Sequence, residues 1–196
     1  MLLWNKSRDE KVVYLTFDDG PIPDVTTFVL NTLNKYQVKA TFFCIGDNIR
    51  KYPDIFSEIR NNGHAIGNHT FNHLKGWDTP DQRYVENFTA CQELTQSHLF
   101  RPPYGRIKKS QIKRIFQQQA RNQTSPPFQI VMWDVLSADY DLRITGEKCY
   151  KNVINHSENG SIIVFHDSIK AFPRMQYALP KAIEYFKENG YTFGVL

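Results

Sequence analysis

The chain is poor in cysteine and has no long apolar run, and each shortage removes a class of function. Its three cysteines in 196 residues, Cys44, Cys91 and Cys149, are widely spaced and form no C-x-x-C pair. An odd, scattered set argues against a disulfide framework and against a thiolate zinc site. Cys44 sits in the apolar run Thr41-Phe42-Phe43-Cys44-Ile45 and reads as a small core residue. No stretch approaches the length of a membrane span. The apolar start Met1-Leu2-Leu3-Trp4 is too short for a signal peptide, so a cytoplasmic protein is expected unless an export signal has been removed. Charge is also unremarkable in sign, at +4 with a pI near 8.9. The only basic cluster, Lys108-Lys109 with Lys113-Arg114, reads as a solvated helix face, and no nucleic-acid partner is expected. Repeats, low-complexity segments and long linkers are missing. A hydrophobic content of 41% excludes a disordered chain and favours one domain over residues 1–196.

What the chain has is alternation. Val12-Val13-Tyr14-Leu15-Thr16-Phe17 reads as a buried strand that stops at Asp18-Asp19-Gly20-Pro21. A helix is expected over 25–36 with Asp24 as its N-cap, then a strand over 40–45. Residues 54–62 read as a helix closed by Gly63, 64–67 as a strand, and 81–97 as a long amphipathic helix behind Thr79-Pro80. A short segment ends at Phe100-Arg101, before a loop through Pro102-Pro103-Tyr104-Gly105. A helix over 107–120, a polar connection over 121–127, a strand over 129–133 and a helix over 147–155 follow. A strand over 161–165, a helix over 175–189 and a strand over 191–195 complete the chain. About seven β/α units suggest an α/β protein built as a small, incomplete parallel barrel, with an open doubly wound sheet as the competitor. Polar motifs that follow strands favour the barrel, whose active sites form at the carboxyl ends of its strands.

Those motifs carry the chemistry. His69-Thr70-Phe71-Asn72-His73 sets two imidazoles four residues apart, the spacing of one face of a helical turn. One carboxylate and two imidazoles suit zinc or a similar divalent ion, with coordination positions left open. Asp18 and Asp19 would point to opposite faces of a strand, so they converge only where it gives way to the Gly20-Pro21 turn. Residue types alone leave open which of the two serves the metal. The other carboxylate, with Arg101 and His166, supplies what metal-assisted hydrolysis still needs.

Five ordered segments now resemble one family. Thr16-Phe17-Asp18-Asp19-Gly20-Pro21, the His69–His73 pentapeptide, Arg101-Pro102-Pro103-Tyr104-Gly105, Trp133 with Asp139, and Ile163-Val164-Phe165-His166-Asp167 are similar to the motifs of the polysaccharide deacetylases, the NodB-homology carbohydrate esterases of family 4. The likeness runs from about Val12 to Leu196. It implies a distorted, incomplete (β/α)7 TIM-like barrel. It also implies that Asp19, His69 and His73 bind the metal, with zinc expected and cobalt or nickel as alternatives. Asp18 would be the general base, His166 the acid that protonates the departing amine, and Asp139 the partner that orients His166. Arg101 suits Asp18 through its fork of donors. The backbone N–H of Tyr104 would meet the oxyanion, and Pro102, Trp133 and Val164 would line the pocket for the acetyl methyl.

The chain departs from the family pattern in its fourth motif. Leu136-Ser137-Ala138-Asp139-Tyr140 stands where D-x-x-D-W is usual, so the first aspartate is missing and Tyr replaces Trp. The expected activity is removal of N-acetyl groups from N-acetylglucosamine-containing polymers of peptidoglycan or chitin type, by a monomer. An O-acetyl esterase acting on a polysaccharide such as xylan is the first alternative. A non-catalytic carbohydrate-binding protein on the same scaffold is the second.

Overall fold

Alternation of side chains along single strands builds the frame. In Val12–Asp18 (β2), Leu15 and Phe17 face an outer helical layer while Tyr14, Thr16 and Asp18 face inward. The computed structural model describes residues 2–121, 126 and 128–196. Among them, Leu2–Leu3 (β1) precedes β2, and Val25–Lys35 (α1), Thr41–Cys44 (β3), Gly46–Lys51 (α2) and Pro53–Asn61 (α3) follow it. Then come Ala65–Asn68 (β4), Asp81–Thr95 (α4), Leu99–Phe100 (β5), Lys109–Arg121 (α5) and Gln129–Val131 (β6). Val135–Leu136 (β7), Gly146–His156 (α6), Ile162–His166 (β8), Phe172–Glu188 (α7) and Thr192–Phe193 (β9) end the chain.

The strands form one curled sheet in the order β1-β6-β5-β4-β3-β2-β8-β7, with β9 also on β2, and the paired strands run parallel. The expected strand over 129–133 is broken. Its first part, β6, pairs with β5, and three residues later β7 pairs with β8 at the far end of the order. One interrupted segment therefore reaches both sides of the curl, which is the distorted (β/α)7 barrel expected, left incomplete.

Two apolar layers clad the outside. Leu15, Phe17, Phe42 and Phe165 pack against α1, α3, α6 and α7, while α4 and α5 cover Phe100 and Ile130. Inside the curl, Phe43, Leu99, Val131 and Ile162 fill the interior beneath the motif-bearing ends. Burial of these faces in close packing is the main stabilising term.

Local expectations fail in instructive ways. Asp24 stands at the N-cap of α1 with φ of 63° and makes no capping bond. Instead the Thr26 hydroxyl accepts the Ile22 N–H at 2.8 Å. Helix α2 and strands β1 and β7 are additions, each too short for a hydrophobic period to register. Of the connection expected over 121–127, residues 122–125 and 127 lie outside the described residues.

Candidate active site

Asp18 is the last residue of β2, and Asp19 turns out of the strand at φ of 89°. That left-handed conformation lets consecutive carboxylates, which a strand would send to opposite faces, approach one centre. The turn is braced from behind. Asp167, fully buried, accepts the Gly20 N–H at 2.9 Å and the Thr26 hydroxyl at 2.6 Å. A Cβ on Gly20 would lie 1.9 Å from an Asp167 oxygen, so only glycine fits. Burial pushes the Asp167 carboxyl up to about 8. Asp167 thus braces the turn from behind.

Arg101, at the end of β5, has no exposed surface. Its guanidinium lies 4.1 Å over the Phe43 ring and donates to the Val131 and Met132 carbonyls. One terminal nitrogen reaches both Thr16 Oγ1 and Asp18 Oδ1 at 2.7 Å. Asp18 is thus held by one oxygen, and its Oδ2 is left facing His69 Nε2 at 4.0 Å.

The histidine pair is not helical, against the expectation from its spacing. Chain leaves β4 into a loop with Thr70 at φ of 63° and His73 at 56°. Side chains outside the pair force this path. Asn68 Oδ1 accepts the Thr70 N–H, and Asn87 Oδ1 on α4 accepts those of Phe71 and Asn72. Four-residue spacing brings the rings together anyway, with centroids 5.1 Å apart.

Asp19, His69 and His73 each offer a donor atom, all within 4.8 Å of one another. Asp19 Oδ1 is 3.2 Å from His73 Nε2 and 3.8 Å from His69 Nε2. It is also a buried oxygen that receives no hydrogen bond, the state expected of an atom waiting for a cation. The Nδ1–H of His69 donates to the Arg101 carbonyl at 2.7 Å, which leaves the Nε2 lone pair free, and burial pushes that imidazole down to about 4. Burial raises the Asp19 carboxyl, but His73, His166 and His69 outweigh it and hold the group well below its ordinary range. A neutral imidazole and an ionised carboxylate are what a divalent ion requires, so the donor set fits one.

His166 ends β8, in register with Asp18 on the neighbouring strand. Its Nδ1–H donates to Asp139 Oδ1 and its backbone N–H to Asp139 Oδ2, both at 2.7 Å. Burial would lower the imidazole, but the Asp139 charge and hydrogen bond prevail and raise it to about 9. Asp139 is fully buried behind Ala138, at φ of 60°, and Arg174 of α7 donates to its carbonyl at 2.5 Å. Tyr140 stands edge-on to His166 with centroids 5.3 Å apart.

A cleft of about 720 Å³ joins these groups, lined by Asp18, Asp19, His69, His73, Tyr104, Trp133, Leu136, Tyr140 and His166 together with basic side chains. Tyr104 lies at φ of 60° in a short 3₁₀ turn, its ring 4.6 Å from that of His73. Pro102 is buried at the base of that turn and accepts the Gly105 N–H. Val164 is 1% exposed and pairs with Thr16 and Leu136, two residues below His166. It lies under the floor, and Leu136 faces the cleft in its place. Asp19, Thr70, His73, Tyr104 and Ala138 are five non-glycine residues at positive φ, all in the motif loops. Each costs about 1–3 kcal/mol, and such strain collects where a site needs a fixed geometry.

A family model described as polysaccharide deacetylase matches residues 5–122. A peptidoglycan-N-acetylglucosamine deacetylase of Bacillus cereus is 30% identical, over 97% of this chain and 88% of its own length. A chitooligosaccharide deacetylase of Azorhizobium caulinodans is 32% identical, over 82% of this chain and 76% of its own. The crystal structure of the Bc1960 peptidoglycan N-acetylglucosamine deacetylase superimposes with a TM-score of 0.90 at 31% identity, covering 100% of this chain and 90% of that one. With the fold and the motif order in agreement, this chain belongs to the polysaccharide deacetylase family.

Proposed function

We propose that the protein is a metal-dependent N-deacetylase acting on N-acetylglucosamine units of a peptidoglycan or chitin-like glycan. The observation that carries this reading is the division of labour within Asp18. Arg101 engages one carboxylate oxygen, and the other faces the three-donor set of Asp19, His69 and His73.

A divalent ion held by Asp19, His69 and His73, zinc or else cobalt or nickel, would polarise the acetyl carbonyl and acidify water. Asp18 Oδ2 takes a proton from the attacking water as its oxygen bonds the carbonyl carbon. Arg101 holds that carboxylate by Oδ1 and so aims the other oxygen. The Tyr104 N–H donates to the oxygen that becomes negative. When the carbon–nitrogen bond breaks, the protonated His166 gives its Nε2 proton to nitrogen, because an amide anion is a very poor leaving group. Asp139 fixes the ring orientation and favours the imidazolium that this step needs. Leu136 and Trp133 receive the methyl, with Val164 supporting them from below and Pro102 anchoring the Tyr104 turn. Acetate and a free sugar amine leave.

The test is acetate release from N-acetylated chito-oligosaccharides and from peptidoglycan strands by zinc-loaded protein. Release that is abolished by a chelator and restored by zinc is expected. No release from either substrate with a filled metal site contradicts the reading. Ester substrates provide the second arm: an alkoxide leaves without a strong acid, so His166→Ala should cost far less on acetate esters than on amides.

A further inference from the structure

Trp77 is 52% exposed on a turn that holds it outward. It sits in a 3₁₀ turn at Gly76–Asp78, directly after the histidine loop. The Gly76 N–H donates to the Arg106 carbonyl at 3.0 Å, and a Cβ on Gly76 would lie 2.4 Å from that oxygen. Gln111, fully buried, donates to the Gly76 and Thr79 carbonyls and accepts the Lys108 N–H at 2.9 Å. The Thr79 hydroxyl donates to the Lys75 carbonyl at 2.7 Å. The turn and the segment after Tyr104 are therefore clamped into one rigid piece. Across it the Arg106 guanidinium stacks over the indole at 4.0 Å. Among the described residues no carboxylate pairs with that guanidinium.

Arg106, Lys75 and Lys170 line the cleft, Lys75 paired with Asp78 of the turn at 2.7 Å, and Trp77 stands just outside the lining against Arg106. The carboxylates of the cleft, Asp18 and Asp19, are committed to Arg101 and to the metal donor set. Beyond the centre, then, the rim offers a flat aromatic face backed by an unneutralised cation. A flat ring matches the axial C–H face of a pyranose, and guanidinium N–H groups donate to hydroxyl and acetyl oxygens. The same cation repels an ammonium.

We propose that Trp77 and Arg106 form a distal sugar subsite that stacks an acetylated unit of the glycan next to the one being hydrolysed, and turns away units already carrying a free amine. This rests on the deacetylase reading and deepens it. A substrate unit is uncharged and a product unit is cationic, so the subsite drives products out and spaces successive deacetylations along the chain. The clamp at Gly76 and Gln111 is what lets an exposed indole work as a fixed platform.

The experiment has a binding arm and a turnover arm. In zinc-loaded Asp18→Asn protein, calorimetry with fully acetylated chitotetraose and with N-acetylglucosamine is repeated with Trp77→Ala added. Tetramer affinity should fall about tenfold, with a smaller change for the monosaccharide, and Trp77→Phe should recover most of it. In turnover, Arg106→Gln should narrow the preference for fully acetylated over half-deacetylated tetramer, and mass spectrometry should show more adjacent free amines. Equal losses for monosaccharide and tetramer, or unchanged tetramer binding, overturn the subsite. An unaltered product pattern in Arg106→Gln overturns the charge selection. Failure of the unsubstituted enzyme to release acetate sinks the deacetylase reading instead, and the binding arm still decides the subsite.

Discussion

The proposed base side and the proposed acid side of the cleft apply one electrostatic device to two different supports. Asp18 and His166 are register partners on adjacent strands, and each has one polar atom held by an opposite charge while another faces the opening. On the base side the support is the barrel interior. Arg101 is fully buried, stacked on Phe43 and bonded to Thr16 and to two carbonyls beside β6. On the acid side the support is a loop, in which Asp139 follows the positive-φ Ala138 and is tied to α7 through Arg174. Interior support tolerates no change because a lone buried charge has no solvent to fall back on. On the acid side Asp139 is buried too, but His166 is 17% exposed and can shed its proton, and the departures from the family pattern in motif four fall there.

Four substitutions test this contrast. Asp18→Asn removes the proposed base while keeping its shape, and kcat should fall about 10²–10⁴-fold with zinc still bound, read by acetate assay and metal analysis. Arg101→Met strands the buried Asp18 charge and should destabilise the fold by about 3–5 kcal/mol, read by urea unfolding. Asp139→Asn retains an acceptor for the His166 Nδ1–H but removes its charge. Because that charge raises His166 to about 9 against burial, its loss lowers the imidazole pKa, and the alkaline limb of kcat should move to lower pH. Unfolding of Asp139→Asn as severe as that of Arg101→Met would erase the distinction between the two supports. Tyr140→Trp, which restores the usual residue edge-on to His166, should change kcat by no more than about threefold.

The sequence made the strands legible because their runs are long and their polar residues sit at the ends. Val12–Asp18 and Ile162–His166 lie within a residue or so of the expected positions. The short elements β7 and α2 were illegible, since two to six residues carry no period. The histidine loop shows a subtler limit. Spacing of His69 and His73 pointed to a shared face, and the rings do meet, but through a strained loop fixed by Asn68 and Asn87. Such strain has no signature in residue type when the positive-φ residues are Asp, Thr, His, Tyr and Ala. Asp167 was beyond reach for another reason: its role depends on the missing side chain of Gly20, a contact between residues 147 positions apart. Trp77 carries no sequence signature either, because a lone tryptophan reads as core until its exposure is known.

The most direct test of the metal centre is a crystal structure of zinc-loaded protein with anomalous scattering measured at the zinc edge. One peak bound by Asp19, His69 and His73, with Asp18 Oδ2 within hydrogen-bond reach of a water or acetate on the ion, is the predicted result. A peak ligated by Asp18, or one that leaves either histidine unbound, would contradict the division between ligand and base.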